Sequence, residues 1–227
     1  MTSQVKIPAD FFFELENFAR YHPSLPGSLD EPGEMCNLGP EFRIVSSSEL
    51  AGILDFADVR CAWSENGLAL VFDNRKMPRH TPGLVKVNFW IDTRNTRNIH
   101  RATRFCHQFR LEFDPYIKIG RKREANETMA PGAEPSQVRI NRALGDAPVA
   151  ARETIYTDYL QDGRGGFRLA FFLSENALNG FDPNVNSRLG LAYRLQVPDL
   201  EMQHLGPGAE FPVQEDPSLW TVLELVK

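Results

Sequence analysis

The sequence lacks the marks of a membrane or exported protein. None of its apolar runs approaches the length of a membrane span, and its first residues, MTSQVKIPADFFF, contain no basic segment followed by a long apolar core. Cysteine is scarce, since Cys36, Cys61 and Cys106 are an odd set of three with no close pair, which is typical of a reducing compartment. We therefore expect a soluble cytoplasmic protein without a membrane partner.

The motifs of the common enzyme classes are also missing. The sequence contains no GxSxG, no HExxH, no Walker loop and no dinucleotide fingerprint. Sequence alone does not place its carboxylates relative to one another, so a glycosidase stays open as an alternative. A net charge of −5 and a pI near 5.6 argue against nucleic-acid binding, which needs a broad basic surface. The sequence thus favours a protein without catalytic activity and without a nucleic-acid partner.

Turn residues and short runs of alternating apolar and polar residues make up most of the sequence. Sixteen glycines and sixteen prolines are spread along the 227 residues, as expected for many short elements joined by turns. Alternation of apolar and polar residues predicts strands at 11–15, 59–63, 68–72, 86–92, 104–113, 154–160, 167–173, 188–197 and 220–226. This pattern predicts an all-β fold of two antiparallel sheets packed face to face as a β-sandwich, with short helical turns such as SENALNG from Ser174.

We expect a single domain over residues 1–227. Residues 1–57 supply its N-terminal strand and loops that cover the domain, because Pro and Gly are frequent there and no period is present between Tyr21 and Pro40. Residues 119–152 contain clustered charges followed by Pro, Gly and Ala, which predicts a long loop excursion.

Basic charge is concentrated between Lys86 and Phe113. This stretch has six Lys/Arg and two Asp/Glu, a formal charge of +4 in a chain of −5, so the remainder sums to −9. Val87, Phe89 and Ile91 alternate with polar neighbours and predict one strand, and the run that ends at Phe113 predicts a second. An arginine-rich turn joins these two neighbouring strands.

The candidate ligand-binding residues belong to this stretch: Trp90, Asp92, Arg94, Asn95, Arg97, His100 and Arg104. Trp90 falls on the polar face of its strand, where an indole ring can stack on a sugar; alternatively the long excursion covers the ring, which then packs. Arginine forks bind carboxylate, sulfate or phosphate by paired hydrogen bonds, which predicts an anionic ligand. In the alternative interpretation, Asp92 forms salt bridges with Arg94 or Arg104 that only pin the turn. Trp63 and Trp220 are in phase with apolar neighbours and are assigned to the core.

Evidence for a metal in the sequence is weak. His100, Cys106 and His107 are zinc-ligand types, but Cys106 and His107 point to opposite faces of a strand, and His107 is in phase with Phe105 and Phe109 as a core histidine. Phe181 to Asn186, FDPNVN, has oxygen-rich side chains that suit calcium or, alternatively, a turn with Asx hydrogen bonds. We expect no cofactor, and the identity of any metal is unknown.

The order of several motifs resembles a known family. DVRCAWSENGLALVF, VNFWIDTRN, FRLAFFLSENALNGFDPN, RLGLAYRL and DPSLWTVLEL follow one another as in the family 9 carbohydrate-binding modules, and the DOMON-like β-sandwiches are similar. The resemblance implies a non-catalytic, sugar-binding sandwich in which stacked tryptophans clasp a glycan end and calcium is structural. The loop MPRHTPGL departs from the family, because it has no aromatic residue where a tryptophan is common. The chain looks like a bacterial subgroup of these modules.

Three functional hypotheses follow. The leading one is a non-catalytic carbohydrate-binding protein, for which an anionic glycan is one candidate ligand. The second is a protein-interaction module that docks an unknown partner through the arginine-rich turn. The third is a glycan-active enzyme, which a cleft lined by two carboxylates would favour.

Overall fold

The computed structural model describes residues 16–27, 34–35, 37–46, 55–74, 83–115, 134–161, 166–208 and 210–227. Its strands are β1 (Asn17–Tyr21), β2 (Ala57–Ser64), β3 (Gly67–Asn74), β4 (Val85–Asp92), β5 (Cys106–Phe113), β6 (Ser136–Val138), β7 (Ile155–Gln161), β8 (Phe167–Ser174), β9 (Arg188–Gln196), β10 (Gln203–Leu205) and β11 (Thr221–Val226). One-turn 3-10 helices are Pro40–Phe42, Arg152–Thr154, Glu175–Ala177 and Pro217–Leu219. The all-β prediction with short helical turns is confirmed, while the strand predicted at 11–15 lies outside the described residues.

The strands join in one hydrogen-bonded path instead of two separate sheets. The order along the path is β6-β5-β4-β9-β11-β1-β2-β3-β8-β7, and β10 pairs with β9. β1 makes the connection, because it runs parallel to β11 and, at its last two residues, parallel to β2. The prediction of two antiparallel sheets is wrong in this respect: a strand that passes from one half to the other joins the halves, and its two pairings are parallel.

The two halves of this curled sheet face each other across an aromatic core. Phe89 of β4 packs against Phe171 of β8 with ring centroids 4.9 Å apart, although these strands are not hydrogen-bonded neighbours. Phe72 of β3 and Tyr193 of β9 make a similar edge contact at 5.7 Å. Trp63 is 4% exposed and belongs to this core, as predicted, whereas Trp220 is 1% exposed but is buried in a separate cluster on the outer face of the sheet.

A tight turn joins β2 and β3. Gly67 begins β3 with a φ of 151°, in the region that favours glycine. A Cβ atom there would collide with the carbonyl oxygen of Leu173 on β8. The predicted helical turn at Glu175–Ala177 is present too, but Ser174 caps it without a side-chain hydrogen bond.

Loops cover the outer face of each half. Residues of the predicted covering loops pack on the outer face of β2, β3 and β8: Leu25, Met35, Leu38 and Phe42. On the other half, Ile140 from the predicted excursion packs on the outer face beside β4 and β5, and β6 extends the sheet from β5. None of the helices in the described ranges is long and apolar enough to cross a membrane.

Candidate functional site

The arginine-rich turn begins where β4 ends, and Asp92 organises it from beneath. Asp92 is 1% exposed, and its carboxylate accepts hydrogen bonds from the amides of Arg94 at 2.9 Å and Thr96 at 2.6 Å. Burial raises the pKa of this carboxyl, and the donated amide hydrogen bonds together with the charge of Arg94 oppose the rise. Asp92 therefore pins the turn through backbone amides and, among the described residues, not through the predicted salt bridges.

Trp90 lies under the loops that cover this half of the sheet. Its side chain is 2% exposed and shares a cluster with Ile140 of the excursion, with Val213 and with Trp220. The guanidinium of Arg194 lies 5.9 Å from its ring centroid. The stacking platform predicted for Trp90 is therefore corrected to the alternative, a packed ring, because the excursion folds back over the face that alternation assigned to solvent.

Two of the predicted arginines gather on one aromatic ring at the surface. The guanidinium carbons of Arg94 and Arg104 lie 5.3 and 4.9 Å from the centroid of Phe105. Phe105 is half-buried, although its phase in the strand pattern predicts a position in the core. Neither guanidinium is within ion-pair distance of a carboxylate in the part of the chain that the structure describes. This arrangement, which we call the Arg94/Arg104 pair, concentrates positive charge around an apolar ring.

Beside this pair, a cleft of about 320 Å³ opens at the rim of the sheet. Its lining combines charged, amide and apolar side chains: Glu16, Asn17, Phe18, Asn95, Arg97, Arg188, Val222 and Glu224. Phe18 is 39% exposed, the most exposed Phe, Tyr or Trp among the described residues. Two arginines and two glutamates make its charge balanced. We call this site the rim cleft.

Strand register explains how distant parts of the sequence meet in the rim cleft. Phe18 of β1 is paired with Glu224 of β11, and Glu224 is paired in turn with Arg188 of β9. An ion pair of 3.4 Å joins the side chains of Arg188 and Glu224. Asn186 then fixes the turn to this row, because its amide nitrogen donates to the carbonyl oxygens of Thr93 and Arg188 at 2.7 Å each.

His100 is separated from the cleft and belongs to a network with the loop before β11. Its Nδ1 atom lies 3.1 Å from a carboxylate oxygen of Asp216 and 3.0 Å from the hydroxyl of Ser218. A Ser-His-Asp triad needs the serine and the carboxylate on different ring nitrogens, whereas both contact Nδ1 here. The network therefore holds the turn against the loop and does not form a hydrolytic triad.

The other candidates for metal chemistry have structural roles. His107 is 1% exposed and stacks on Phe109 with an interplanar angle of 9°, which confirms a core histidine. Asp182 accepts the amide of Asn184 at 3.1 Å, so Phe181 to Asn186 forms the Asx turn of the alternative interpretation. The described residues contain no group of three His, Cys, Asp or Glu that would hold a metal, and structural calcium stays a prediction.

The predicted site residues thus divide into four sets, of which His100 with its Asp216 and Ser218 contacts is one. Asn95 and Arg97 line the rim cleft, Arg94 and Arg104 surround Phe105 beside it, and Trp90 and Asp92 lie buried below. The sequence prediction missed Phe18, Arg188 and Glu224. The sequence NFARY, Asn17–Tyr21, gives no signal for this placement, because the polar Asn17 is buried and the apolar Phe18 is exposed, the reverse of what alternation predicts.

Comparison with known proteins finds similarity at the level of fold. No family model and no curated protein matches the chain. Among solved structures, a carbohydrate-binding module of family 9 from Caldicellulosiruptor kristjanssonii in complex with cellotriose aligns with a TM-score of 0.56 and 13% identity, over 93% of this chain and 94% of the other. A family 9 module from the same organism in complex with glucose aligns with a TM-score of 0.47 and 11% identity, over 74% and 75% of the two chains. The chain therefore shares the fold of the cellotriose-bound module.

Proposed function

We propose that this protein binds a carbohydrate in the rim cleft. The observation that carries the proposal is the exposed ring of Phe18 beside hydrogen-bonding side chains in one concave site. Aromatic rings stack on the apolar faces of sugars, while amide, guanidinium and carboxylate groups bind the hydroxyls. The shared fold of a cellotriose-bound module supports the same class of ligand.

The structure limits how such a sugar is held. All three tryptophans of the chain are buried, at 4%, 2% and 1% exposure, so a clasp of two stacked tryptophans is not built from this sequence. In this proposal the ring of Phe18 stacks on the sugar in place of a tryptophan. The volume of about 320 Å³ is at the low end of ligand pockets, which favours the end of a glycan or a short oligosaccharide.

We further propose that the bound glycan is anionic. The rim cleft has balanced charges, but Arg94 directly precedes Asn95 of its lining, and the Arg94/Arg104 pair has no carboxylate partner among the described residues. A carboxylate or sulfate on the bound glycan would supply that partner through paired hydrogen bonds. In this proposal the rim cleft binds the sugar ring, and the Arg94/Arg104 pair binds the negatively charged group of the glycan.

Replacing Phe18 by alanine should weaken glycan binding about tenfold, or about 1.4 kcal/mol, because the stacking surface is lost while the polar groups remain. Calorimetry against cellotriose and against neutral, uronic and sulfated oligosaccharides measures the change. Leu84→Ala is the matched control, since Leu84 is 46% exposed and precedes the start of β4, at the end of the strand away from the turn. If no oligosaccharide in the panel gives a binding heat, carbohydrate binding is wrong for this protein.

The charge preference has its own test. Replacing both Arg94 and Arg104 by glutamine should reduce affinity for the uronic or sulfated ligand about tenfold and leave affinity for its neutral counterpart unchanged. Raising the salt concentration should weaken the wild-type complex with the anionic ligand in the same direction. Equal losses for the charged and the neutral glycan would contradict a role for the arginine pair in charge recognition.

Glycoside hydrolysis is a second candidate, because Glu16 and Glu224 line the same cleft and hydrolases act with two carboxylates. Glu224 is ion-paired with Arg188 at 3.4 Å. Chromatography of the oligosaccharide after incubation separates the two functions: unchanged sugar supports binding alone, whereas shorter products that disappear with Glu224→Gln support hydrolysis.

A further inference from the structure

We propose that a second pocket, separate from the rim cleft, binds a small neutral and mainly apolar molecule. The pocket has a volume of about 370 Å³ and lies between the start of β5 and the segment that follows β6. Its apolar lining includes Cys106, Val138, Ile140, Ala143, Ala147 and Val149. This volume is within the range of small-molecule sites and well above that of an engineered apolar cavity, about 150 Å³, that holds benzene.

Hydrogen bonds hold the wall of the pocket at both ends. At one end, the amide of Leu144 donates to the carbonyl of Ala102 at 2.7 Å, and Arg101 donates to the carbonyl of Arg142 at 2.7 Å. At the other end, Gln137 of β6 donates to the carbonyl of Pro148 at 3.0 Å and accepts the amide of Ala150 at 2.6 Å. The chain between these anchors arches over the pocket, so the cavity exists before any ligand arrives.

The floor of the pocket is uncharged. Cys106 is 3% exposed, and its sulfur accepts a hydrogen bond from the amide of Thr103 at 3.4 Å. Burial, with the nearby charge of Asp92, raises the pKa of the Cys106 thiol to about 12, so the thiol is protonated at neutral pH. A protonated thiol is a poor nucleophile, and the site therefore suits reversible binding.

The rim of the pocket carries no net charge either. The two charged residues of the lining, Arg139 and Asp146, form an ion pair with each other. Apolar surface remains exposed beside them, since Val149 is 88% and Leu144 is 59% exposed. A small apolar ligand would cover part of this surface, whereas a charged ligand would have to separate the ion pair. A free sugar would leave most of its hydroxyls without partners on such a lining, so this site is distinct in chemistry from the rim cleft.

Phenol is a suitable probe, because it is neutral at pH 7 and has one ring and one hydroxyl. In methyl-labelled protein, titration with phenol should give saturable shifts of the methyl signals of Val138, Ile140 and Val149. Ala147→Leu should fill the pocket and weaken phenol binding at least tenfold, and Ala143→Leu fills the same space if the first variant does not fold. Val185→Ala, which is remote from the lining, should bind phenol as the wild type does.

The proposed pocket and the proposed carbohydrate site can be tested independently of each other. Absence of saturable methyl shifts at any soluble phenol concentration would overturn the pocket inference, as would shifts that persist unchanged in both filled variants. Phe18→Ala should leave phenol binding intact, and a glycan that occupies the rim cleft should not displace phenol. Displacement of phenol by the glycan would mean that the two ligands share one site, and the inference of a separate pocket would be wrong.

Discussion

Replacing Trp90 by alanine will lower the free energy of unfolding by about 3–5 kcal/mol, the range for removal of a large aromatic side chain from a core. Trp90 is 2% exposed, so the substitution leaves a cavity and does not expose new polar surface to water. Its cluster also contains Ala102, Cys106 and Ala192, small residues that offer few atoms with which to refill the space. The decrease in the free energy of unfolding should therefore fall in the upper half of that range.

Urea unfolding followed by circular dichroism measures this effect. Trp90→Phe should lose much less than Trp90→Ala, because it keeps an aromatic ring in the cluster. Phe18→Ala serves as the surface comparison, and we expect it to change stability by under about 1 kcal/mol. Unchanged stability of Trp90→Ala, together with lost glycan binding, would mean that the ring is a solvent-facing platform after all.

The example of Trp90 shows what alternation along a strand determines. The period of two places Trp90 on the outer face of β4, and the register of Trp90 with Gln108 on β5 agrees with it. Alternation does not tell whether that face meets water. Here Ile140 and Val213 cover it, and they come from loops 50 or more residues away along the chain.

Most of the strands were predictable because each one contains its own signal. β4, β5, β8 and β9 all have the apolar alternation that burial of one face requires, and the observed bounds differ from the predicted ones by two residues or fewer. β6 and β10 are three residues long, too short for a period to be detected. β1 lacks apolar alternation, and its two parallel pairings, with β2 and with β11 at the far end of the chain, give no local pattern.

Only two of the eight residues that line the rim cleft were predictable, for a similar reason. Asn95 and Arg97 attract attention because they lie in a turn whose polar residues are dense within one short stretch of sequence. Their neighbours in the rim cleft, Phe18, Arg188 and Glu224, come from three strands that only the sheet register brings together. A prediction from local sequence patterns therefore identifies the residues of the turn and misses the strand residues on the opposite side of the rim cleft.

His107 should make the folded protein sensitive to acid in the range between pH 6.5 and pH 4. Burial lowers the pKa of this imidazole from 6.5 to about 4, while the carbonyl oxygen of Asn179, 3.4 Å from Nε2, opposes the decrease. The ring is 1% exposed and stacked on Phe109, so it has almost no access to water that would solvate a charge. Protonation of His107 in place is therefore costly.

The sign of the effect follows from proton binding in the two states. Between pH 6.5 and pH 4 the unfolded chain carries a proton on His107 and the folded chain does not, so stability is full above pH 6.5 and is lost as the pH falls. The loss should reach about 3 kcal/mol near pH 4, given about 1.4 kcal/mol for each pH step of one across this window. His107→Leu, a neutral side chain of similar size, should lack this contribution. The test compares urea unfolding of both proteins at pH 7 and pH 4.5: the wild type should lose about 2–3 kcal/mol more than the variant, because titration of carboxylates is common to both. Equal losses, or a ring that NMR shows to be protonated above pH 6 in the folded state, would contradict a buried neutral histidine.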